Sequence, residues 1–145
     1  MLTNETPNEV HFDGKIAQKA VIVRGGKVLV IRDPREEMVI WEIPGGRLNE
    51  GEEPRVGLAR EIKEELGVDC HVGDIVHLTQ FFQNSEGRNA LMIAYEATIP
   101  ENAVLSFADG EICEARWIDG VELKQLTFFP EYKDTLDIYF EKHLV

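Results

Sequence analysis

Residues 46–68 read GRLNEGEEPRVGLAREIKEELGV, and this stretch carries the strongest structural signal in the chain. A helix is predicted over residues 53–66, because Pro54 fits the first helical turn and Gly67 fits the position just past the last turn. On a helical wheel, three apolar side chains share one face: Ala59, Ile62 and Leu66. The stretch is therefore predicted to form a loop followed by a helix that packs one face against a sheet.

The opposite face of the predicted helix is crowded with negative charge, because it carries Glu61, Glu64 and Glu65. Like charges three or four residues apart repel each other, and the helix dipole disfavours negative charge in the last turns. Gly57 weakens the helix further, by up to about 1 kcal/mol. Such local conflicts tend to mark functional sites, and Mg²⁺ prefers carboxylate oxygen. The two interpretations are a solvated acidic face on a surface helix and a metal site.

Strand-like patterns surround this helix on both sides. Alternating or β-branched runs bounded by turn residues predict strands over residues 16–23, 28–31, 38–43, 72–82, 90–99 and 114–118. A closing amphipathic helix is predicted over residues 131–144, with Tyr132, Leu136, Tyr139, Phe140 and Leu144 near one face. Mixed strands with few helices predict α/β or α+β layers. Residues 1–14 read as a polar arm and residues 15–145 as one domain.

Composition and charge narrow the classes of function. The chain has 145 residues, 43% of them hydrophobic and 29% charged, which is typical of a globular domain. It has no apolar run of about 20 residues and no signal-peptide pattern at its start, so we expect a cytoplasmic location and no membrane partner. A net charge of −12 disfavours a nucleic-acid partner. If the substrate carries phosphate, something other than net charge must attract it, and a divalent cation is the first candidate.

Residues 46–68 resemble the signature of the Nudix family, G-x5-E-x7-R-E-U-x-E-E-x-G-U, in which U is aliphatic. Every specified position matches: Gly46, Glu52, Arg60, Glu61, Ile62, Glu64, Glu65, Gly67 and Val68. The flanking residues 41–45 (WEIPG) and 116–118 (RWI) also look like the family's segments before and well after the signature. The resemblance implies an α/β/α sandwich around a mixed β-sheet, in which the signature forms a loop–helix–loop catalytic motif.

The resemblance also implies roles for particular residues. The positions that match metal ligands, for Mg²⁺ or alternatively Mn²⁺, are Glu61, Glu64, Glu65 and the backbone carbonyl of Gly45. Arg60 and Glu52 match a pair that ties the loop to the helix, so that the ligand carboxylates are held in orientation. The general base is expected to be Glu64 or a residue of a distant loop. Of Glu111 and Glu114 in that loop, Glu111 is preferred because it follows a turn.

The function implied is Mg²⁺-dependent hydrolysis of a diphosphate linkage in a nucleoside-diphosphate-linked small molecule. A nucleoside triphosphate or modified nucleotide comes first, because residues 82–86 lack the proline and the tyrosine that mark ADP-ribose and dinucleoside-polyphosphate hydrolases. Those two substrate classes stay open, as do RNA processing, a non-catalytic nucleotide-binding regulator and a homodimer. Trp41 and the pair Phe81 and Phe82 are candidates for stacking on a base, with packing in the core as the alternative.

Overall fold

The computed structural model describes residues 9–108 and 113–143, and within them it contains six strands and three helices. The strands are β1 (Gly14–Arg24), β2 (Lys27–Arg32), β3 (Gly45–Arg47), β4 (His71–Gln83), β5 (Arg88–Thr98) and β6 (Glu114–Ile118). The helices are α1 (Pro54–Leu66), α2 (Gly120–Leu123) and α3 (Pro130–His143). In this part of the chain no helix has the length and apolar character that crossing a membrane requires.

The strands form one mixed sheet in the order β4-β5-β1-β2-β6, with β3 paired to β1 off this path. Strand β1 is parallel to β5 and antiparallel to both β2 and β3. The outer pairs, β4 with β5 and β2 with β6, are antiparallel. Because β1 contacts three strands, it places β3 and the loop that follows it against the middle of the sheet.

Helices cover both faces of the sheet. Alternate residues of a strand point to opposite faces, so in β1 Ala20 and Ile22 join one core cluster while Val21 joins the other. Helix α1 completes the first cluster with Leu58, Ile62 and Leu66. Helix α3 completes the second with Leu136, Tyr139 and Phe140. The predicted α/β/α layers around a mixed sheet are confirmed.

Helix α1 begins and ends where the sequence predicts. The Glu53 carboxylate accepts a hydrogen bond from the Val56 amide at 2.9 Å, which caps the helix. Gly67 ends it with a φ of 69°, a left-handed conformation that favours glycine. Apart from the one over residues 38–43, the predicted strands agree with the structure to within a few residues, as does the closing helix. Residues 1–8 of the predicted arm and Leu144 of the closing helix lie outside the described residues.

The strand predicted over residues 38–43 is wrong. Only isolated bridges form there, between Glu42 and Ile31 and between Trp41 and Phe128. The Ile40 amide donates to the Met38 carbonyl at 3.1 Å, which bends the chain, and Met38 is 66% exposed. The next strand, β3, begins at Gly45, two residues after the predicted strand ends.

Candidate active site

A pocket of about 470 Å³ lies on the α1 side of the sheet, and its described lining is rich in charge. The glutamates that line it are Glu42, Glu61, Glu64 and Glu65. Arg32 and Arg35 stand in the same pocket. Helical periodicity therefore brings together the three glutamates that the sequence singled out, and the fold adds the carboxylates of Glu42 and Asp33 and two guanidinium groups.

Glu42 is a pocket glutamate that the sequence analysis missed. It lies between Trp41 and Ile43, which are 2% and 0% exposed and belong to the core on the α3 side. Because neighbouring residues of an extended chain point in opposite directions, Glu42 is turned toward the α1 side, where the pocket is. The alternation Trp-Glu-Ile is the signal that could have identified it.

The two aromatic residues proposed for stacking occupy different environments. Trp41 is 2% exposed, and the guanidinium carbons of Arg32 and Arg116 lie 5.5 and 5.1 Å from the centre of its ring. This burial favours packing in the core, the alternative role considered for Trp41, over stacking on a base. Phe82 is 55% exposed on β4 and does not line this pocket, whereas Phe81 is half-buried.

Two glycines leave space that carboxylate groups occupy. A Cβ atom on Gly46 would lie 2.5 Å from both Cδ and Oε2 of Glu61. A Cβ atom on Gly57 would lie 2.5 Å from Oε1 of Glu52. Both distances are far below van der Waals contact, so each carboxylate packs directly against glycine backbone. Gly57, unfavourable for the helix, is therefore required by the position of Glu52.

Gly45 packs equally closely on the sheet. Its φ of 149° is unusual for any other residue, and a Cβ atom there would lie 2.0 Å from the carbonyl oxygen of Gln18. Its register partner on β1 is Lys19. The backbone that carries the Gly45 carbonyl is thus fixed to β1 at the start of the loop.

Arg60 contacts the carboxylate groups of three glutamates. Its Nε and Nη2 donate to Glu52 Oε2 and Oε1 at 2.8 and 3.1 Å, a paired contact between helix and loop. Its Nη1 donates to Glu64 at 3.0 and 3.1 Å, and Nη2 also donates to Glu61 at 3.2 Å. The predicted contact between Arg60 and Glu52 is present. These hydrogen bonds lower the pKa of Glu52 and raise that of Arg60 above its ordinary value.

The oxygen ligands offered by this pocket fit a hard divalent cation. In residues 9–108 and 113–143, however, no three His, Cys, Asp or Glu side chains are already assembled as a metal-binding group. Glu61 and Glu64 are instead held by Arg60 through charge-assisted hydrogen bonds. Glu111, the other candidate for the general base, lies outside the described residues.

A cation that the sequence analysis did not single out lies close to this acidic group. Lys19 is half-buried, and its Nζ stands 5.5 Å from the centre of the Tyr132 ring. Burial lowers the pKa of Lys19, but Tyr132, Glu42 and Glu65 more than offset this effect, so the pKa is raised. Lys19 therefore stays positively charged, and it offsets part of the negative charge of Glu42 and Glu65.

Comparison with known proteins gives a consistent assignment. Residues 15–137 match the NUDIX domain. The chain is similar to the CTP pyrophosphohydrolase of Escherichia coli, with 39% identity over 59 residues, covering 39% of this chain and 44% of that protein. It is also similar to the putative 8-oxo-dGTP diphosphatase 2 of Mycobacterium tuberculosis, with 46% identity over 67 residues, covering 43% and 48%. The matched stretch thus spans about half the length of these curated relatives.

Solved structures extend the similarity over nearly the whole chain. The solution structure of the E. coli ORF135 protein superposes with a TM-score of 0.74 and 25% identity, covering 92% of this chain and 93% of that one. The crystal structure of the MutT protein from Methanosarcina mazei gives a TM-score of 0.75 at 22% identity, covering 94% and 100%. The second similarity supports the fold alone.

Proposed function

Because the chain belongs to the Nudix family, we propose that it is a hydrolase that uses a divalent metal ion to cleave a diphosphate linkage in a nucleotide. The observation that carries this proposal is the arrangement of Glu61, Glu64 and Glu65 in one pocket, with Arg60 holding two of them and the loop residue Glu52. Carboxylates grouped in this way repel one another and gain from a cation. The pocket therefore suits a metal-bound phosphate substrate.

The proposed ligands for Mg²⁺, or for Mn²⁺ as the alternative, are Glu61, Glu64, Glu65 and the Gly45 carbonyl. When bound, such an ion neutralises charge on phosphate oxygens and lowers the pKa of a coordinated water. The contribution of Arg60 and Glu52 is to hold the loop and the helix in one geometry, since catalysis by positioning is sensitive to small displacements.

Glu64 is our first candidate for the general base. Its side chain is 62% exposed, more than the 24% of Glu61, so it can reach a water molecule in the pocket. In the proposed reaction Glu64 accepts the proton of the water that attacks phosphorus. Glu111 is the second candidate for the same role.

The substrate class proposed is a nucleoside triphosphate or a modified nucleotide. The names of two relatives, a CTP pyrophosphohydrolase and a putative 8-oxo-dGTP diphosphatase, support this class. Arg32 and Arg35 in the pocket offer guanidinium groups, which bind phosphate oxygens in pairs of hydrogen bonds. In the free protein they form ion pairs with Glu114 and Asp33, both at 2.8 Å.

The test is steady-state hydrolysis with Mg²⁺ of a panel containing nucleoside triphosphates, 8-oxo-dGTP, ADP-sugars and dinucleoside polyphosphates. Glu64→Gln and Glu65→Gln should each lower kcat by at least about 10²-fold, as expected for loss of a base or a metal ligand. The matched control is Glu141→Gln, which removes an exposed carboxylate from α3, away from the pocket.

Two results would count against the proposal. Near-native rates for both Glu64→Gln and Glu65→Gln, with the Glu141→Gln control unchanged, would remove the site from the reaction. If the native chain binds nucleotides but hydrolyses none of the panel, the chain acts as a nucleotide-binding regulator instead.

A further inference from the structure

The outer edge of β4 presents apolar side chains that the proposed active site does not use. Leu78 and Phe82 are 53% and 55% exposed, and Gln80 between them is also exposed. Because alternate residues share a face of a strand, these three side chains lie in one row. The register partners on β5 are Ile93 for Leu78, Leu91 for Gln80 and Asn89 for Phe82. The row therefore continues the α1 side of the sheet beyond the helix.

Features that usually prevent an edge strand from pairing with another chain occur only in the first half of β4. Register shifts between Val72 and His77 disrupt the ladder with β5 there, and Asp74 places a charge on the strand. From Leu78 to Gln83 the pairing with β5 is regular and the sequence, LTQFFQ, contains no charge, proline or glycine. Among the described residues only β5 pairs with β4. An edge of this kind is a template for pairing with another strand.

The charge pattern favours a second copy of this chain as the partner. The chain carries 27 acidic residues and a net charge of −12, so two copies repel each other over most of their surface. Residues 75–85 contain no acidic residue. The next carboxylate, Glu86, is neutralised by ion pairs with Lys15 and Arg47. Two copies can therefore approach along this segment with the least repulsion.

The geometry of an antiparallel pair then selects one register. Two identical strands related by a twofold axis perpendicular to the sheet place one residue opposite itself, and the favoured centre is the one that brings the exposed apolar side chains Leu78 and Phe82 opposite each other. If that residue is Gln80, Leu78 of each strand faces Phe82 of the other. Centring on Leu78 or on Phe82 instead places Gln80 opposite Val76 or Asn84, and Leu78 no longer faces Phe82.

We propose that two copies of this chain form a twofold dimer by antiparallel pairing of their β4 strands about Gln80, with Leu78 of one copy packed against Phe82 of the other. The dimer joins the two sheets into one. Phe82 is thereby an interface residue rather than a surface for stacking a base. This proposal does not depend on the hydrolase activity.

The first experiment measures molar mass by light scattering during size-exclusion chromatography over a series of concentrations. The native chain should reach twice the 16.5 kDa of one chain. Leu78→Asp and Gln80→Asp should each raise the dimer dissociation constant by at least about tenfold, the first by burying a charge and the second by placing two carboxylates face to face. The matched control, Val104→Asp, alters a residue that is 82% exposed on a loop, and should dimerise like the native chain.

The second experiment tests the register by cross-linking with a short bis-maleimide. Gln80→Cys should cross-link to itself, because directly opposite Cβ atoms lie about 5 Å apart. Leu78→Cys should not, because its two copies lie four residues apart along the strand, about 13 Å. A mixture of Leu78→Cys and Phe82→Cys should cross-link again. The native chain is the control for cross-linking through its own free cysteines, Cys70 and Cys113.

A native chain that is monomeric at every concentration would overturn the proposal. So would a dimer that Leu78→Asp and Gln80→Asp leave intact, because it would form through another surface. A chain that dimerises only after residues 1–13 are removed would assign the edge of β4 to that arm instead, which also contradicts the proposal. Thermal unfolding of each variant checks that the fold is retained, as is expected for exposed positions.

Discussion

Replacing Gly46 by alanine tests whether the exact position of the Glu61 carboxylate matters for catalysis. A Cβ atom at residue 46 would lie 2.5 Å from Glu61 Cδ, whereas carbon atoms in contact lie about 3.5 Å apart. The carboxylate must therefore move by about 1 Å. It has room to do so, because it borders the pocket, although the move changes its contact with Arg60. Displacements of about this size lower rates by about 10²-fold when geometry is critical.

The backbone itself accepts the substitution at residue 46, since Gly46 is not among the glycines with positive φ. We therefore expect Gly46→Ala to keep its melting temperature and to lose about 10²-fold in kcat, measured on the best nucleotide of the panel. The matched control is Gly73→Ala on β4, where the nearest atom to the new Cβ is 3.3 Å away. If Gly46→Ala is correctly folded and retains near-native kcat, the position of Glu61 does not control the reaction, and its assignment as a metal ligand fails.

Two further predictions follow from the contacts of α1. In a double-mutant cycle on kcat, Arg60→Ala and Glu52→Gln should be strongly non-additive, because the two side chains form one paired contact; additive losses would mean that they do not act as a unit. Mg²⁺ should raise the melting temperature by binding the folded state, and Glu61→Gln should weaken this response. The absence of any thermal shift at millimolar Mg²⁺, where catalysis is measured, would contradict the proposed metal site.

The sequence predicts α1 well because the signals that bound it are local. Glu53, Pro54 and Gly67 act through the first and last turns alone. Strand β3 could not be predicted in this way, because Gly45 and Gly46 have low strand propensity. That strand exists through its pairing with β1, and a side chain at residue 45 would collide with the Gln18 carbonyl. Only the tertiary contact explains why glycine stands in a strand.

In the candidate site, too, local sequence signals predict some features and tertiary contacts determine others. Helical spacing alone predicts that Glu61, Glu64 and Glu65 share a face, and the pocket brings them together. Whether an aromatic residue faces a ligand or the core depends on neighbours far away in sequence. Trp41 is buried because α3 covers that face of the sheet and contributes to the same core cluster. The local alternation Trp-Glu-Ile places Trp41 and Ile43 on one side of the chain, but it does not show that α3 covers that side.

The features that make α1 a poor helix in isolation are explained by the loop that precedes it. Gly57 weakens the helix by up to about 1 kcal/mol, yet its missing Cβ leaves the space that the Glu52 carboxylate occupies. In that space the Glu52 carboxylate accepts a hydrogen bond from Arg60, which lies about one helical turn beyond Gly57. Arg60 also donates a hydrogen bond to Glu64. A helix optimised for its own stability would replace glycine by alanine and would push Glu52 away from the guanidinium. The local conflict in the sequence is therefore the cost of joining loop to helix, and it falls where the carboxylates have to be oriented.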